Sequence, residues 1–139
     1  MSPGVLVIIV VGEKRSEREG ALDVFGRVHD CVISALGEVG INGAVRAGIS
    51  DLAVNGKKIL GSSLYMGTRP PLFYYQSSLM VSNDLTLLGR YLRHPPKEPD
   101  YRQGRSHCQF CTNLKELGYS VDAEKLSAQI EFHLRSRLT

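Results

Sequence analysis

Residues 50–63 read SDLAVNGKKILGSS, two short runs of strand-forming residues joined by Asn55-Gly56. Asn-Gly is the strongest short-range signal for a β-hairpin, because both residues tolerate the positive φ angles of a two-residue turn. Such a turn predicts four cross-strand pairs: Val54 with Lys57, Ala53 with Lys58, Leu52 with Ile59, and Asp51 with Leu60. The rest of the predicted sheet extends outward from this hairpin.

The two faces of the hairpin follow from the alternation of side chains along each strand. One face is apolar and is expected to line a core; it gathers Leu52, Val54 and Ile59. The other face carries a carboxylate and an ammonium; it gathers Asp51, Ala53, Lys58 and Leu60. Lys57 lies at the turn, where its aliphatic stem can carry the ammonium group out to water. Lys58 is therefore the lysine directed at a candidate site, the alternative being that both lysines are solvated surface charges.

Composition is typical of a single globular domain. The chain has 139 residues, 42% of them hydrophobic, and a net charge of +3, which permits an anionic ligand without favouring nucleic acid. The three cysteines, Cys31, Cys108 and Cys111, form no disulfide framework, which predicts a reducing cytoplasm. The only strongly apolar run, Val5 to Val11, is too short to span a membrane, so no membrane association is expected.

Hydrophobic periodicity predicts the other elements of the N-terminal half. The unbroken run from Val5 to Val11 predicts a central strand covered on both faces. Ser16, with Glu19 three residues later, predicts the start of a helix. The apolar stripe of that helix is Leu22, Phe25, Val28, Val32, Leu36 and Val39. Cys31 is expected to pack within this helix, and residues 44–81 to complete the sheet.

The C-terminal half is predicted to be shorter elements and one long helix. A short helix begins at Asn83-Asp84 and continues to Leu92, and the Pro-rich stretch His94–His107 predicts a loop. A further short helix is predicted from Phe110 to Gly118, and a final helix after Asp122. Together these elements predict one α+β unit over residues 1–139, with a mixed, mostly antiparallel sheet flanked by helices.

The C-terminal loop carries the remaining candidate chemistry. His107-Cys108-x-x-Cys111 supplies one pair of ligands where a structural zinc site needs two, so no metal site is predicted. Arg102, Arg105 and His107 either belong to a solvated loop or bind phosphate or an acidic partner. The chain contains none of the common glycine-rich phosphate-binding loops and no Gly-x-Ser-x-Gly nucleophile motif.

The stretch Asp51-Leu52-x-x-x-Gly56-Lys57-Lys58-Ile59-x-Gly61-Ser62-Ser63 resembles the motif of the lipoate–protein ligase A group, within the biotin/lipoate protein ligase superfamily. Three further segments, Pro3–Leu6, Ser78–Leu85 and Tyr101–Leu114, resemble other parts of that family, so the resemblance extends over essentially the whole chain. It implies part of a catalytic domain of the class II aminoacyl-tRNA synthetase-like type.

The resemblance also implies a reaction and a set of site residues. Family members activate lipoate or a related fatty acid with ATP and Mg²⁺ to an acyl-adenylate, and transfer the acyl group to a lysine of a lipoyl carrier domain. Lys58 would contact the substrate carboxyl and the α-phosphate, and Asp51 would orient Lys58 or accept a hydrogen bond from adenosine. The remaining substrate- or adenylate-binding positions implied are Gly61, Ser62, Ser63 and Ser78.

One family motif, Arg-x-Ser-Gly-Gly-Gly, would precede the first strand and is not in this sequence. The resemblance is thus to the C-terminal half of the catalytic domain. Exposed sheet edges are expected to favour a homodimer or association with a separate N-terminal half, and the chain is not expected to catalyse ligation alone.

Three alternatives stay open. The first is transfer of the octanoyltransferase type, which requires a cysteine thiolate and is disfavoured because residues 46–50 hold no cysteine and Cys31 lies in a predicted helix. The second is biotin–protein ligation. The third is a non-catalytic, truncated or interaction subunit that binds carrier domains.

Overall fold

The computed structural model describes residues 4–86 and 98–138. One sheet is formed by five strands: β1 (Val5–Glu13), β2 (Val45–Ala47), β3 (Asp51–Val54), β4 (Lys57–Met66) and β5 (Leu72–Met80). The strand order is β1-β5-β4-β3-β2, and each neighbouring pair is antiparallel. The α+β class and the mostly antiparallel sheet are therefore confirmed, with one isolated parallel bridge between Lys58 and Cys111.

The helices complete the domain and enclose its core. Within the described residues, the α-helices with described bounds are α1 (Ala21–Glu38), the single turn α2 (His107–Phe110) and α3 (Ala123–Leu138), and a 3-10 turn spans Asp100–Arg102. The main core lies between the sheet and α1, and its fully buried members include Val28, Val32, Leu36, Leu52, Ile59, Leu60, Tyr75 and Leu79. α3 packs against α1 and contributes Leu126 and Ile130 to the same core. The described residues leave much of the other face of the sheet exposed, including Ile9, Val11, Tyr65 and Tyr74.

β1 contradicts the prediction of a central strand covered on both faces. It lies at the edge of the sheet and, within the described residues, pairs with β5 alone. Ile8 is buried on the core face, whereas Ile9 and Val11 on the open face are 56% and 63% exposed. The run from Val5 to Val11 places apolar side chains on both faces of β1, but within the described residues only the core face is packed against other elements.

The start of α1 also differs from the prediction. The helix begins at Ala21 after Gly20, whose N–H donates to Asp23 Oδ2 at 3.1 Å, so Ser16 is not its N-cap. Glu19 is instead drawn into a buried ion pair with Arg27 at 2.6 Å. Leu22 is 66% exposed, because at 3.6 residues per turn it lies to the side of the buried stripe centred on Val28.

The C-terminal elements follow the prediction in part. Phe110 ends α2, and residues 114–118 form turns, so the predicted helix from Phe110 to Gly118 is not present. The final helix is confirmed, and Asp122 Oδ1 accepts the N–H of Glu124 at 3.0 Å at its start. Most of the helix predicted through Leu92, and residues 94–97 of the predicted loop, lie outside the described residues. Within the described ranges, no helix combines the length and the hydropathy needed to cross a membrane.

Candidate active site

The site begins at the predicted hairpin. Asn55 and Gly56 have φ angles of 52° and 76°, which confirms the two-residue turn, and Val54 and Ala53 pair with Lys57 and Lys58 as predicted. The register then shifts by one residue, because a β-bulge separates these pairs from the next. The two outer predicted pairs are therefore wrong: Leu52 pairs with Leu60, and Asp51 pairs with Gly61.

The bulge determines which residues share a face with Lys58. Without it Leu60 would stand opposite Asp51; with it Leu60 turns into the core, where it is fully buried. Gly61 takes the place opposite Asp51, on the same face as Lys58. Lys58 Nζ lies 3.4 Å from Asp51 Oδ1 and passes over Gly61, where a β-carbon would come within 2.7 Å of it. Glycine at position 61 therefore leaves the space that the Lys58 side chain occupies.

An open cleft of about 410 Å³ surrounds this ion pair. Ser63 and Ser78 lie on the open face of the sheet together with Lys58, Asp51 and Gly61, so five of the six predicted site residues are brought together. Gln76 also lies on this face, opposite Ser63, and was not predicted. Its position depends on the pairing of β4 with β5, and no local sequence signal marks it.

Ser62, the sixth predicted residue, borders the cleft but has its side chain on the core side of β4, opposite Ser77. Its hydroxyl donates to the carbonyl oxygen of Ser50, and its Oγ lies 3.3 Å from His29 Nε2. The Tyr75 hydroxyl lies 3.0 Å from the same nitrogen. These contacts tie the sheet to α1 directly behind the cleft.

Burial controls the charge of this group of side chains behind the cleft. It lowers the pKa of His29 to about 4, with a smaller contribution from the positive charge of Arg46, and it raises the pKa of Tyr75 to about 12. His29 and Tyr75 are therefore both neutral at neutral pH. Neither was predicted from the sequence as part of the site.

Residues 98–112 cover the hairpin end of the cleft. The Tyr101 hydroxyl donates to Asp51 Oδ2 at 2.7 Å, and the N–H of Thr112 donates to the Lys58 carbonyl oxygen at 2.9 Å. Burial, followed by the hydrogen bond to Asp51 and its negative charge, raises the pKa of Tyr101. Tyr101 was noticed only as part of a family-like segment, since no local signal places residue 101 beside residue 51.

The arginines of this segment are structural. Arg102 is 3% exposed, pairs with Glu98 at 3.4 Å and lies over the Phe110 ring, so neither the solvated nor the phosphate-binding interpretation holds for it. Arg105 donates from Nη2 to the carbonyl oxygens of Gly56 and Tyr101, at 2.8 and 2.6 Å. Both arginines fasten the segment to itself, and Arg105 also fastens it to the hairpin turn.

The described residues do not form a metal centre. Among the side chains that the structure describes, which do not include those of His107 and Cys108, His, Cys, Asp and Glu do not cluster in groups of three or more that could hold a metal ion. Asp51 is the one carboxylate lining the cleft within these residues. The chemistry available there is that of an ammonium, a carboxylate and several hydroxyl and amide groups.

Comparisons with known proteins bear on the family and the fold of the chain. A family model described as "Lipoyl protein ligase A/B catalytic domain" matches residues 1–135. A crystal structure of lipoate-protein ligase A bound with ATP has a TM-score of 0.76 at 18% identity, covering 97% of this chain and 52% of that one. A bipartite lipoate protein ligase from Thermoplasma acidophilum, studied with its E2 lipoyl domain, has a TM-score of 0.75 at 18% identity, with 98% and 52% covered.

Biotin protein ligases share the fold at a greater structural distance. The enzyme from Aquifex aeolicus has a TM-score of 0.66 at 18% identity, covering 97% of this chain and 53% of that one. The chain thus spans about half the length of these ligases. On the match of the family model over nearly all of its residues, the chain belongs to the lipoyl protein ligase A/B catalytic domain family.

Proposed function

We propose that the chain is the Lys58-bearing part of a lipoate–protein ligase, which activates an acyl acid with ATP and transfers it to a lysine of a lipoyl carrier domain. The observation that carries this proposal is the Lys58 ammonium, held by Asp51 above Gly61 in an open polar cleft. Family membership and a relative bound with ATP support it.

The first step forms the acyl-adenylate. A carboxylate oxygen of the acyl acid attacks the α-phosphorus of ATP, the bond from that phosphorus to the bridging oxygen breaks, and pyrophosphate leaves. Charge shifts among the phosphate oxygens in the transition state, and an ammonium fixed beside them stabilises it. Lys58 supplies that ammonium.

The second step transfers the acyl group. The uncharged ε-amine of the carrier lysine attacks the acyl carbonyl carbon, AMP leaves, and the extra amine proton passes to solvent. Lys58 polarises the carbonyl oxygen as negative charge develops on it. One lysine therefore serves both steps without forming a covalent bond itself.

The other residues of the cleft hold Lys58 and the ligand. Asp51 orients Lys58; the alternative role, accepting a hydrogen bond from adenosine, is less favoured because Lys58 and Tyr101 already contact both carboxylate oxygens. Ser63, Ser78 and the unpredicted Gln76 supply hydrogen-bonding groups to the phosphate or the carboxylate. Ser62 acts from behind the sheet, through Ser50 and His29.

Mg²⁺ is assigned to the nucleotide and not to a site on this chain. Mg²⁺ in phosphate-transfer enzymes is bound by one or two carboxylates together with substrate phosphates and water. The cleft residues described here offer one carboxylate, Asp51, which is already engaged by Lys58 and Tyr101. They do not fit a resident metal site.

We propose lipoate or a related fatty acid as the acyl substrate, because the matching family is that of lipoyl ligases.

The buried, unpaired Cys31 is in keeping with a reaction in the cytoplasm. Cys31 does not fit a thioester mechanism, since burial raises its thiol pKa, the opposite of what a nucleophilic thiolate needs.

A second part of the catalytic domain is proposed to complete the sheet at β1. Residues 1–139 are then one partial domain, in keeping with the half-length coverage of the matched ligases. The outer edge of β1 pairs with no described strand, and a groove of about 700 Å³ runs between β1 and α3. A strand added at this edge would satisfy the backbone groups of β1 and cover Ile9 and Val11. A homodimer is the competing arrangement.

The experiment that tests the function is lipoyl-adenylate formation from ATP, Mg²⁺ and lipoate, followed as ATP–pyrophosphate exchange. The chain is assayed alone and together with the glycine-rich half of a lipoate ligase, supplied as a separate polypeptide or as an upstream fusion. We expect exchange in the completed assembly. Absence of exchange there, with both parts folded, would favour a non-catalytic protein that binds carrier domains.

A further inference from the structure

Asp51 is held from both of its carboxylate oxygens. Oδ1 lies 3.4 Å from Lys58 Nζ, and Oδ2 accepts the Tyr101 hydroxyl at 2.7 Å. Asp51 itself is 7% exposed, so little solvent is available to replace either partner. The Asp51 carboxylate therefore links the Tyr101 hydroxyl, from the C-terminal segment, to the Lys58 ammonium in the cleft.

Tyr101 is itself fixed by the segment that carries it. Its ring lies against the Phe110 ring, with centroids 4.9 Å apart, and its carbonyl oxygen accepts from Arg105 Nη2 at 2.6 Å. The same nitrogen of Arg105 donates to the Gly56 carbonyl oxygen at the hairpin turn. The segment therefore contacts the hairpin at two points: Tyr101 binds Asp51 at the start of β3, and Arg105 binds Gly56 at the turn.

We propose that Tyr101 is a positioning residue for Lys58: its hydroxyl fixes the rotation of the Asp51 carboxylate, and the carboxylate fixes the ammonium above Gly61. This inference rests on the proposed function for its catalytic consequence. Without the Tyr101 hydroxyl the carboxylate can rotate, and Lys58, which is the more exposed partner, spends less time in the cleft. The raised pKa of Tyr101 keeps the phenol protonated, and hence a donor, across the physiological range.

The test uses Tyr101→Phe, which removes the hydroxyl and keeps the ring that contacts Phe110. Tyr119→Phe is the matched control, because Tyr119 is also half-buried but packs against the main core. The first readout needs no catalysis: the rate of acetylation of Lys58 by acetic anhydride, relative to Lys57 in the same molecule, measured by mass spectrometry. We expect a severalfold rise in this ratio for Tyr101→Phe and none for Tyr119→Phe.

A double-variant comparison separates positioning from general loosening. If Tyr101 acts through Asp51, then Asp51→Asn raises the labelling ratio as well, and adding Tyr101→Phe to it raises the ratio no further. In the completed ligase, Tyr101→Phe is expected to lower the kcat of exchange about tenfold, with the KM for ATP within about twofold. Effects of the two substitutions that multiply, or a Tyr101→Phe ratio equal to that of Tyr119→Phe, would overturn the inference.

The two proposals fail in different ways. In one outcome, the completed assembly shows no exchange, but Tyr101→Phe raises the Lys58 labelling ratio in wild type and does not raise it further in Asp51→Asn. This outcome would support the positioning role of Tyr101 and contradict the ligase function. Exchange by the wild-type assembly, with kcat unchanged in Tyr101→Phe, would support the ligase function and remove the positioning role.

Discussion

Lys58 passes directly over Gly61: a β-carbon at position 61 would lie 2.7 Å from both Cε and Nζ of the lysine. The β-bulge creates this relationship, since it moves Leu60 into the core and leaves glycine opposite Asp51. An irregularity of one residue in a short hairpin thereby places an ammonium and a carboxylate 3.4 Å apart at an open cleft.

Gly61→Ala is expected to remove activity without unfolding the protein. The added methyl group meets the flexible end of Lys58 and no backbone atom among its nearest contacts, so the lysine moves and the strand need not. We expect at least a tenfold loss of pyrophosphate exchange in the completed assembly, with the free energy of unfolding changed by no more than about 1 kcal/mol.

Gly37→Ala is the control for that substitution. Gly37 lies in α1, and a methyl group there meets only Asn42 Oδ1, at 3.9 Å. Helix propensity predicts a gain in stability of up to about 1 kcal/mol and unchanged exchange. Full activity of Gly61→Ala would show that the course of Lys58 over Gly61 is irrelevant to catalysis.

His29 is expected to make stability depend on pH below neutrality. Its folded-state pKa is about 4, below the ordinary 6.5, so the unfolded state binds more protons between these values. Stability is fully retained above about pH 6.5 and falls as the pH is lowered towards 4, by about 3 kcal/mol for this one group. Urea unfolding measured from pH 4 to pH 7.5 checks this.

His29→Gln supplies the comparison, because glutamine keeps a hydrogen-bonding side chain that does not titrate. The stability difference, wild type minus variant, should increase with pH between about 4 and 6.5 and be constant above that range. A difference independent of pH would mean that His29 is not held neutral behind the cleft.

The open edge of the sheet gives a prediction about assembly. Ile9→Lys and Val11→Lys place charges on exposed apolar positions of β1, where they should block association with the glycine-rich half while circular dichroism stays unchanged. Leu22→Lys is the control, because Leu22 is similarly exposed but lies on α1, across the sheet. Light scattering and co-elution measure the association.

The oligomeric state of the unmodified chain decides between the two arrangements at β1. A stable homodimer that Ile9→Lys dissociates, with no binding of the glycine-rich half, would replace the proposed partner by a second copy of the chain. A monodisperse monomer that neither dimerises nor binds that half would contradict both.

Local sequence information predicted the parts of the fold that depend on local physics. Asn55-Gly56 specifies its turn through two positive φ angles, so the inner pairs of the hairpin and the choice of Lys58 over Lys57 followed directly. The final helix was also predicted, since its start depends on Asp122 nearby. The bulge was missed because one extra residue in a strand leaves no periodic signal over so short a run.

The features that the sequence did not predict all depend on contacts with residues elsewhere in the chain. Glu19 pairs with Arg27 and does not cap a helix from Ser16, and the exposure of β1 depends on which strands lie beside it. Tyr101 reaches Asp51 across 50 residues of chain, and His29 reaches Ser62 from a helix on the far side of the sheet. Five of the six residues that the family resemblance implied lie together at the cleft, whereas Tyr101 and His29 could be placed beside it only from the three-dimensional arrangement.

The most direct test of the central claim is ATP–pyrophosphate exchange by Lys58→Ala beside Lys57→Ala, in an assembly that is active as wild type. The two lysines are adjacent, but Lys57 is exposed at the turn and Lys58 lies in the cleft with Asp51. We predict that Lys58→Ala lowers exchange by about a hundredfold or more and that Lys57→Ala leaves it unchanged. Equal activity of the two variants would contradict the assignment of Lys58 as the residue that contacts the reacting groups.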